Sequence, residues 1–530
     1  MTGPELLPVQ SHFAPGEPVE IEVRHAPESG ELIVRRLGDP VQRHPYEGAG
    51  QLRLTGLEIG SYGIELLSPD GVARTAIEIT GNDRARLRYG FVVDYSPGRD
   101  LAGVSDLVRR LHLTDIQFYD WAYRHAELLG GGEEYRDALD QPISLATVGS
   151  LVAAVQAVGA RALGYAAVYA VGPQEWPGWQ HDALLQATGE PYGLGDFLFL
   201  VDPAAADWQQ SFTRQLQESA QRVGFDGFHL DQYGYPKRAE RPDGQRVNVS
   251  ASFVSLIGAV RTALPDSQLV FNNVNDFPTW ATARTAQDAI YIEVWEPTTT
   301  LGALGAVVAR ARSVAAGKPA VIAAYQHVYD SAAARESDLA TAFTMATLFS
   351  HGATQLLVGE ADRILVDPYY VRNHVVEAST AALLKRWYDF LVEHDQLLMP
   401  INVIDVTASY AGEYNDDCDV TFEGARSTSA AVPGAVWRRV TSVGDALVVH
   451  LINLCGQSDA QWDAPRSTPT PQSGTLRFRL SGASAPRVRV ADPDAEGRLI
   501  ELSVVVEGTH ATVQLPELAV WQLIVIGEPS

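Results

Sequence analysis

Between residues 87 and 360 the chain alternates, eight times, a short apolar run with a stretch that has room for a helix. The runs fall at 87–95, 114–121, 161–170, 225–232, 268–275, 289–295, 318–326 and 353–360. β-Branched and aromatic residues dominate them, which favours strands. Helical periodicity is clearest at 144–158 and 205–223; in the second, Trp208, Phe212, Leu216 and Val223 share a face. Ser250 is placed to cap a helix carrying Phe253, Leu256, Ile257 and Val260. Eight strand–helix units are the count of a (β/α)8 TIM barrel. An open doubly wound sheet would favour a G-x-G-x-x-G turn after the first strand, and DYSPGRD at 94–100 is not one.

At 530 residues the chain exceeds one such unit. Residues 1–83 alternate apolar and polar side chains in about five short runs separated by turn residues such as Ser68-Pro69-Asp70-Gly71. That fits a small immunoglobulin-like β-sandwich. GNDRAR at 81–86 is a plausible linker. After about 397 short β runs return, at 446–454, 475–482, 486–492, 499–508 and 520–527 among others, as expected of a second sandwich. The expected organisation is therefore an α/β fold: an N-terminal β-sandwich (1–83), a catalytic barrel (84–396) and a C-terminal β-sandwich (397–530).

Catalytic groups of a β/α barrel sit at the C-terminal ends of its strands. Here those ends carry Asp94-Tyr95, Asp120-Trp121, Tyr169, Asp231, Asn273 and Asn275, Glu293, Tyr325-Gln326, and Glu360. Nearly all are polar or aromatic, which a purely structural barrel has little reason to be. The run FDGFHLD at 225–231 stops on a carboxylate, and so, near its end, does AIYIEVW at 289–295. Two acids at one barrel mouth are the equipment for cleaving a glycosidic bond: one protonates the departing oxygen, the other meets the oxocarbenium-like carbon directly or through water.

Asp226 competes with Asp231 but stands at the strand's start, where a cap or a salt bridge is the simpler role, so Asp231 is the candidate nucleophile. Glu293 lies within its strand end, whereas Glu296 precedes Pro297, where the chain has turned; Glu293 is the candidate acid/base. Tyr291 and Trp295, two residues to either side, would raise its pKa by desolvation, unless Glu293 is instead a buried partner of an arginine. His125 and His229 lie near strand ends, either as neutral donors to sugar hydroxyls or as structural histidines.

Other chemistries find little footing. There is no G-x-S-x-G elbow, H-E-x-x-H, C-x-x-C or Walker loop. Glu413, Asp416, Asp417 and Asp419 form an acidic turn that reads as a solvated charge run rather than a calcium site. The only cysteines, Cys418 and Cys455, imply no disulfide framework. A formal charge of −25 argues against nucleic-acid or anionic-membrane partners. MTGPELLPVQ at the start lacks the pattern of a signal peptide, so a cytoplasmic location is expected.

The combination of IQFYDWAYRH (116–125), GFDGFHLDQYG (224–234), NNVN (272–275), YIEVW (291–295) and LLVGEADRILVDPYY (356–370) resembles glycoside hydrolase family 66, which holds dextranases and cycloisomaltooligosaccharide glucanotransferases. The resemblance covers the whole barrel. It implies a retaining mechanism on α-1,6-linked glucan, with Asp231 as nucleophile and Glu293 as acid/base; a reaction carried by two carboxyl groups is expected to need no metal or organic cofactor. It also implies that Tyr119, Asp120, Trp121, Asn273, Asn275 and Glu360 surround the glucosyl units. The strand ends add Tyr169, His229, Trp295 and Tyr325 as candidate sugar contacts. Cyclising members carry a binding module inserted in the barrel, and these strands follow one another without room for an insert of ~120 residues. Hydrolysis of dextran or isomalto-oligosaccharides is therefore favoured over transglycosylation, with a non-catalytic carbohydrate-binding barrel as the third possibility.

Overall fold

All eight apolar runs contribute parallel strands to one curled sheet in the computed structural model of the protein, which describes residues 3–82, 84–315, 317–412, 414–482 and 484–529. The strands are β1 (Tyr89–Val92), β2 (Asp115–Phe118), β3 (Arg161–Ala167) and β4 (Gly227–Asp231). They continue as β5 (Gln268–Asn272), β6 (Ala289–Glu293), β7 (Ala320–Ala323) and β8 (Ala353–Leu356). Each pairs in parallel with the next in chain order. Past β8 the segment Val358–Gly359 turns onto β1, pairing Gly359 with Phe91. Two short antiparallel strands, Arg363–Leu365 and Asn373–Val375, complete a sheet of eleven. The result is a mixed α/β fold.

Helices α1 (Leu101–Arg110), α2 (Leu145–Gln156), α3 (Ala206–Val223), α4 (Val249–Ala263), α5 (Leu301–Val314), α6 (Ala334–His351) and α7 (Ala378–Glu393) alternate with the strands. In α3 the expected face is the buried one: Trp208, Phe212, Leu216 and Val223 are all in the core. Gly224, at φ +93°, ends it in the left-handed conformation that glycine adopts without strain. The cap of α4 is Asn248 rather than Ser250, and its side-chain oxygen is taken by Arg238. Gly227 opens β4 for a steric reason: a Cβ there would run into the Gln268 backbone of β5, its register partner.

The strands are shorter than the apolar runs. The run 268–275 stops being a strand at Asn272, because Asn273 turns its amide onto the carbonyls of Phe271 and Tyr291 and Asn275 adopts φ +51°. This shifts every argument about what stands at a strand end.

Before β1, seven strands form sheets of three and four whose apolar faces share one core. The strand missing any alternation signal, Asp39–Tyr46, is exposed along most of its length. The C-terminal part forms a seven-stranded and a four-stranded sheet around a second small core. There the run 499–508 splits into Ile500–Glu501 and Val504–Glu507, which join different sheets. Asp416 and Asp417 pair with Arg477 and Arg479, so the acidic turn is neutralised by arginines; Glu413 lies outside the described residues. Both cysteines are free and buried. Among the described residues, no helix is long and apolar enough to cross a membrane.

Candidate active site

Asp231, Asn272 and Glu293 are the last residues of β4, β5 and β6. These strands are neighbours in the sheet, so parallel pairing brings the three side chains together at its C-terminal edge. One atom, Nδ2 of Asn272, donates to Oδ1 of Asp231 at 2.7 Å and to Oε2 of Glu293 at 2.8 Å. Because both bonds meet at one nitrogen, those carboxyl oxygens lie no more than about 5.5 Å apart, the sum of the two. Two carboxyl acceptors also orient the amide, since only its nitrogen can donate to both.

The second oxygens are held differently. Tyr165 donates its hydroxyl to Oδ2 of Asp231 at 2.8 Å. Tyr325 donates to Oε1 of Glu293 at 3.2 Å. Burial raises the pKa of both acids, and the Asp231 charge adds to the effect on Glu293, which is pushed up to about 7. For Asp231, hydrogen bonds from Asn272, Tyr165 and the Gln232 amide oppose that effect by stabilising the ionised form. Glu293 is therefore the member of the pair that still carries a proton close to neutral pH.

Around the pair is a cavity of about 260 Å³. Tyr119 forms part of its wall and stacks on Tyr370 with ring centroids 4.2 Å apart. His229 lines it between Tyr165 and Tyr291, with Nδ1 2.9 Å from the Tyr89 hydroxyl. Burial holds His229 down to about 3 and His125, another wall residue, down to about 4, so both are neutral. Asp120 lines the cavity as well; burial and the nearby Asp137 and Asp231 carboxylates hold it well above the carboxylate range. Tyr291, Trp295 and Tyr325 enclose Glu293, and Trp295 with Tyr369 forms a half-exposed aromatic rim.

Five expected sugar contacts stand elsewhere. Trp121 is fully buried against Phe225, its indole N–H spent on the Tyr165 carbonyl. Tyr169 is buried behind the cavity wall, where its hydroxyl donates to the Tyr235 carbonyl and accepts from the Tyr233 amide. Asn273 is a buried brace, bonded to two carbonyls and to the Thr282 hydroxyl. Asn275 is exposed and ties its loop to the Glu296 carbonyl. Glu360 clamps the sheet where β8 returns to β1: it accepts from the Val93 and Asp94 amides and pairs with Arg99. Asp226 accepts from the Ala162 amide at the opposite end of β4. Glu296 is exposed.

Asn272 and Tyr165, which touch the carboxylates, are not among the residues the sequence singled out, and neither is Tyr370. Asn272 and Tyr165 share one cause. Reading β3 to residue 170 and β5 to residue 275 placed their ends three residues too late, whereas β3 ends at Ala167 and β5 at Asn272.

The model of glycosyl hydrolase family 66 matches residues 71–525. A cycloisomaltooligosaccharide glucanotransferase of Niallia circulans is 25% identical over 311 residues, 53% of this chain and 32% of that one. A dextranase of Streptococcus salivarius is 24% identical over 407 residues, 64% of this chain and 49% of its own. The matched region thus spans about a third to a half of these curated relatives. A cycloisomaltooligosaccharide glucanotransferase of Paenibacillus, solved with cycloisomaltoheptaose, has the same fold: its TM-score is 0.88 at 19% identity, over 98% of this chain and 99% of that one.

Proposed function

The chain belongs to glycosyl hydrolase family 66, and from that premise we propose that it is a retaining glycoside hydrolase acting on α-1,6-linked glucan, dextran or isomalto-oligosaccharides. The observation that carries this reading is the shared Asn272 amide, which limits the distance between the two carboxyl groups. Retaining glycosidases hold their carboxyl groups about 5–5.5 Å apart, whereas inverting ones leave about 6.5–9.5 Å for a water.

In this reading Asp231 attacks the anomeric carbon while Glu293 protonates the leaving oxygen. Glu293, now ionised, then takes a proton from water, which displaces Asp231 and restores the starting state. Oε1 is the oxygen of Glu293 that Asn272 leaves free, so it is the one suited to pass the proton. Tyr165 and Asn272 stabilise Asp231 as carboxylate before attack and as leaving group afterwards. The stacked Tyr119 and Tyr370 offer a flat apolar wall to a sugar ring, and neutral His229 and the Asp120 carboxyl group offer hydrogen bonds to hydroxyls.

The curled sheet is read as a (β/α)8 barrel, supported by the Gly359–Phe91 pairing that joins its ends. The units 1–83, 84–396 and 397–530 are kept as domains. Transglycosylation is the second reading, favoured by the half-exposed Trp295 and Tyr369, which could seat an acceptor sugar at the rim. Incubation with dextran and with isomalto-oligosaccharides of defined length tests the proposal. Shortened or transferred products, absent with Asp231→Asn and Glu293→Gln, are expected; unchanged substrate, or an active Asp231→Asn, rejects it.

A further inference from the structure

A second cavity, of about 300 Å³, lies at the other end of the curled sheet. It is bounded by Leu87 before β1, Ala320 and Thr354 at the starts of β7 and β8, the C-terminal turn of α5, and residues 399–405. Nothing in the proposed reaction uses it. Four arginines line it, Arg86, Arg88, Arg312 and Arg439. Arg86 is paired with Asp395 at 2.6 Å and Arg439 with Asp405 at 3.1 Å. Arg312, on α5, reaches only two backbone carbonyls, Gly352 at 2.9 Å and Pro400 at 2.8 Å. Among the described residues no carboxylate comes within ion-pair distance of it.

The charged neighbours of Arg312 are Arg86 and Arg439, and their repulsion adds to burial in pushing it down to about 10. The remaining titratable groups at the cavity supply no counterion. Arg88 is matched by Glu78 at 2.8 Å. Lys318 turns its ammonium onto the carbonyls of Ala283 and Thr285. Burial holds His351 neutral, down to about 3. Arg312 and Lys318 thus both lack a carboxylate partner among the described residues, and the cavity carries positive charge in excess within a chain whose formal charge is −25. Its walls are apolar at Leu391, Met399 and Val403, and two exposed isoleucines, Ile401 and Ile404, stand at its mouth.

We infer that this cavity is a binding site for a small amphiphilic oxyanion, a carboxylate or phosphate carried on an apolar body. Arg312 has five N–H donors and spends two on carbonyls, which leaves part of its fork for an anion. A bound anion would supply the missing counterion, and its body would cover the apolar wall.

Calorimetric titration of the full chain with phenyl phosphate and with benzoate tests this, with benzyl alcohol as the uncharged control. Saturable binding of one or both anions is expected, and the better of the two identifies the head group. Arg312→Gln should weaken binding about tenfold or more, the worth of a charge-assisted hydrogen bond. Asp405→Asn removes a competing charge from the rim while leaving every Arg312 contact in place, so it should tighten binding even if Arg312→Gln folds poorly. No saturable binding to the wild type, equal binding of benzyl alcohol, or an Asp405→Asn variant no tighter than the wild type would each overturn the inference.

Discussion

One amide nitrogen sets the charge state of the candidate site. Asn272 steadies both carboxyl groups, burial raises both, and the Asp231 charge adds to the effect on Glu293. Replacing it by alanine removes two hydrogen bonds to ionisable groups, each worth about 1.5–3 kcal/mol, so Asn272→Ala should lower kcat by roughly a hundredfold. The same change should move the alkaline limb of kcat/KM upward, because the amide lowers the Glu293 pKa. A loss of rate with an unmoved pH profile would mean that Asn272 is only structural.

Glu293 also links activity to stability. Its pKa rises from 4.5 unfolded to about 7 folded, so between those values the native state binds the extra proton and stability falls as pH rises. Glu293→Gln should therefore match the wild type in acid and exceed it above pH ~7, by up to about 3 kcal/mol if the whole shift is realised. Urea unfolding at the two extremes reads this directly. Wild-type kcat/KM should fall above the same pH, as the acid loses its proton.

At the level of strands and helices, the periodic signals were legible and the terminations were not. Eight runs, their order and the buried face of α3 follow from apolar patterning, and Asp231 and Glu293 stand at strand ends under either reading. Strand ends depend on side chains that compete for backbone groups, as Asn273 does, and no apolar pattern records that competition. Trp121, Tyr169 and Glu360 stand outside the cavity for a related reason. Polar and aromatic groups at a strand end also serve to brace the loops, and their bonds to backbone partners distant in sequence emerge only in three dimensions. Trp121→Ala should consequently cost about 3–5 kcal/mol of stability, with the KM of the folded enzyme unchanged. A raised KM without loss of stability would return Trp121 to the cavity. Gly227→Ala should destabilise by about 1–3 kcal/mol, because β4 and β5 have no room for the added methyl.

Across the whole molecule, α7 ties the curled sheet to the N-terminal sheets. Glu393 at its end is almost completely buried and pairs with Arg74 at 2.9 Å, and Lys385 donates to the Arg74 carbonyl. Burial outweighs that arginine and pushes Glu393 up to about 7. Arg74→Met should therefore destabilise the entire chain, by up to about 3 kcal/mol, and more at alkaline than at acid pH. By contrast the exposed link between Arg487 and Asp39, which joins the C-terminal and N-terminal sheets, should contribute no more than about 1 kcal/mol.

These joints hold the sheet whose edge aligns β4, β5 and β6, and on that alignment the catalytic claim rests. The anomeric configuration of the first product released from an isomalto-oligosaccharide, read by proton NMR before mutarotation, tests it most directly. Attack by Asp231 followed by water on the same centre gives the α-anomer; a β-anomer at first release would contradict double displacement and the roles given to Asp231 and Glu293.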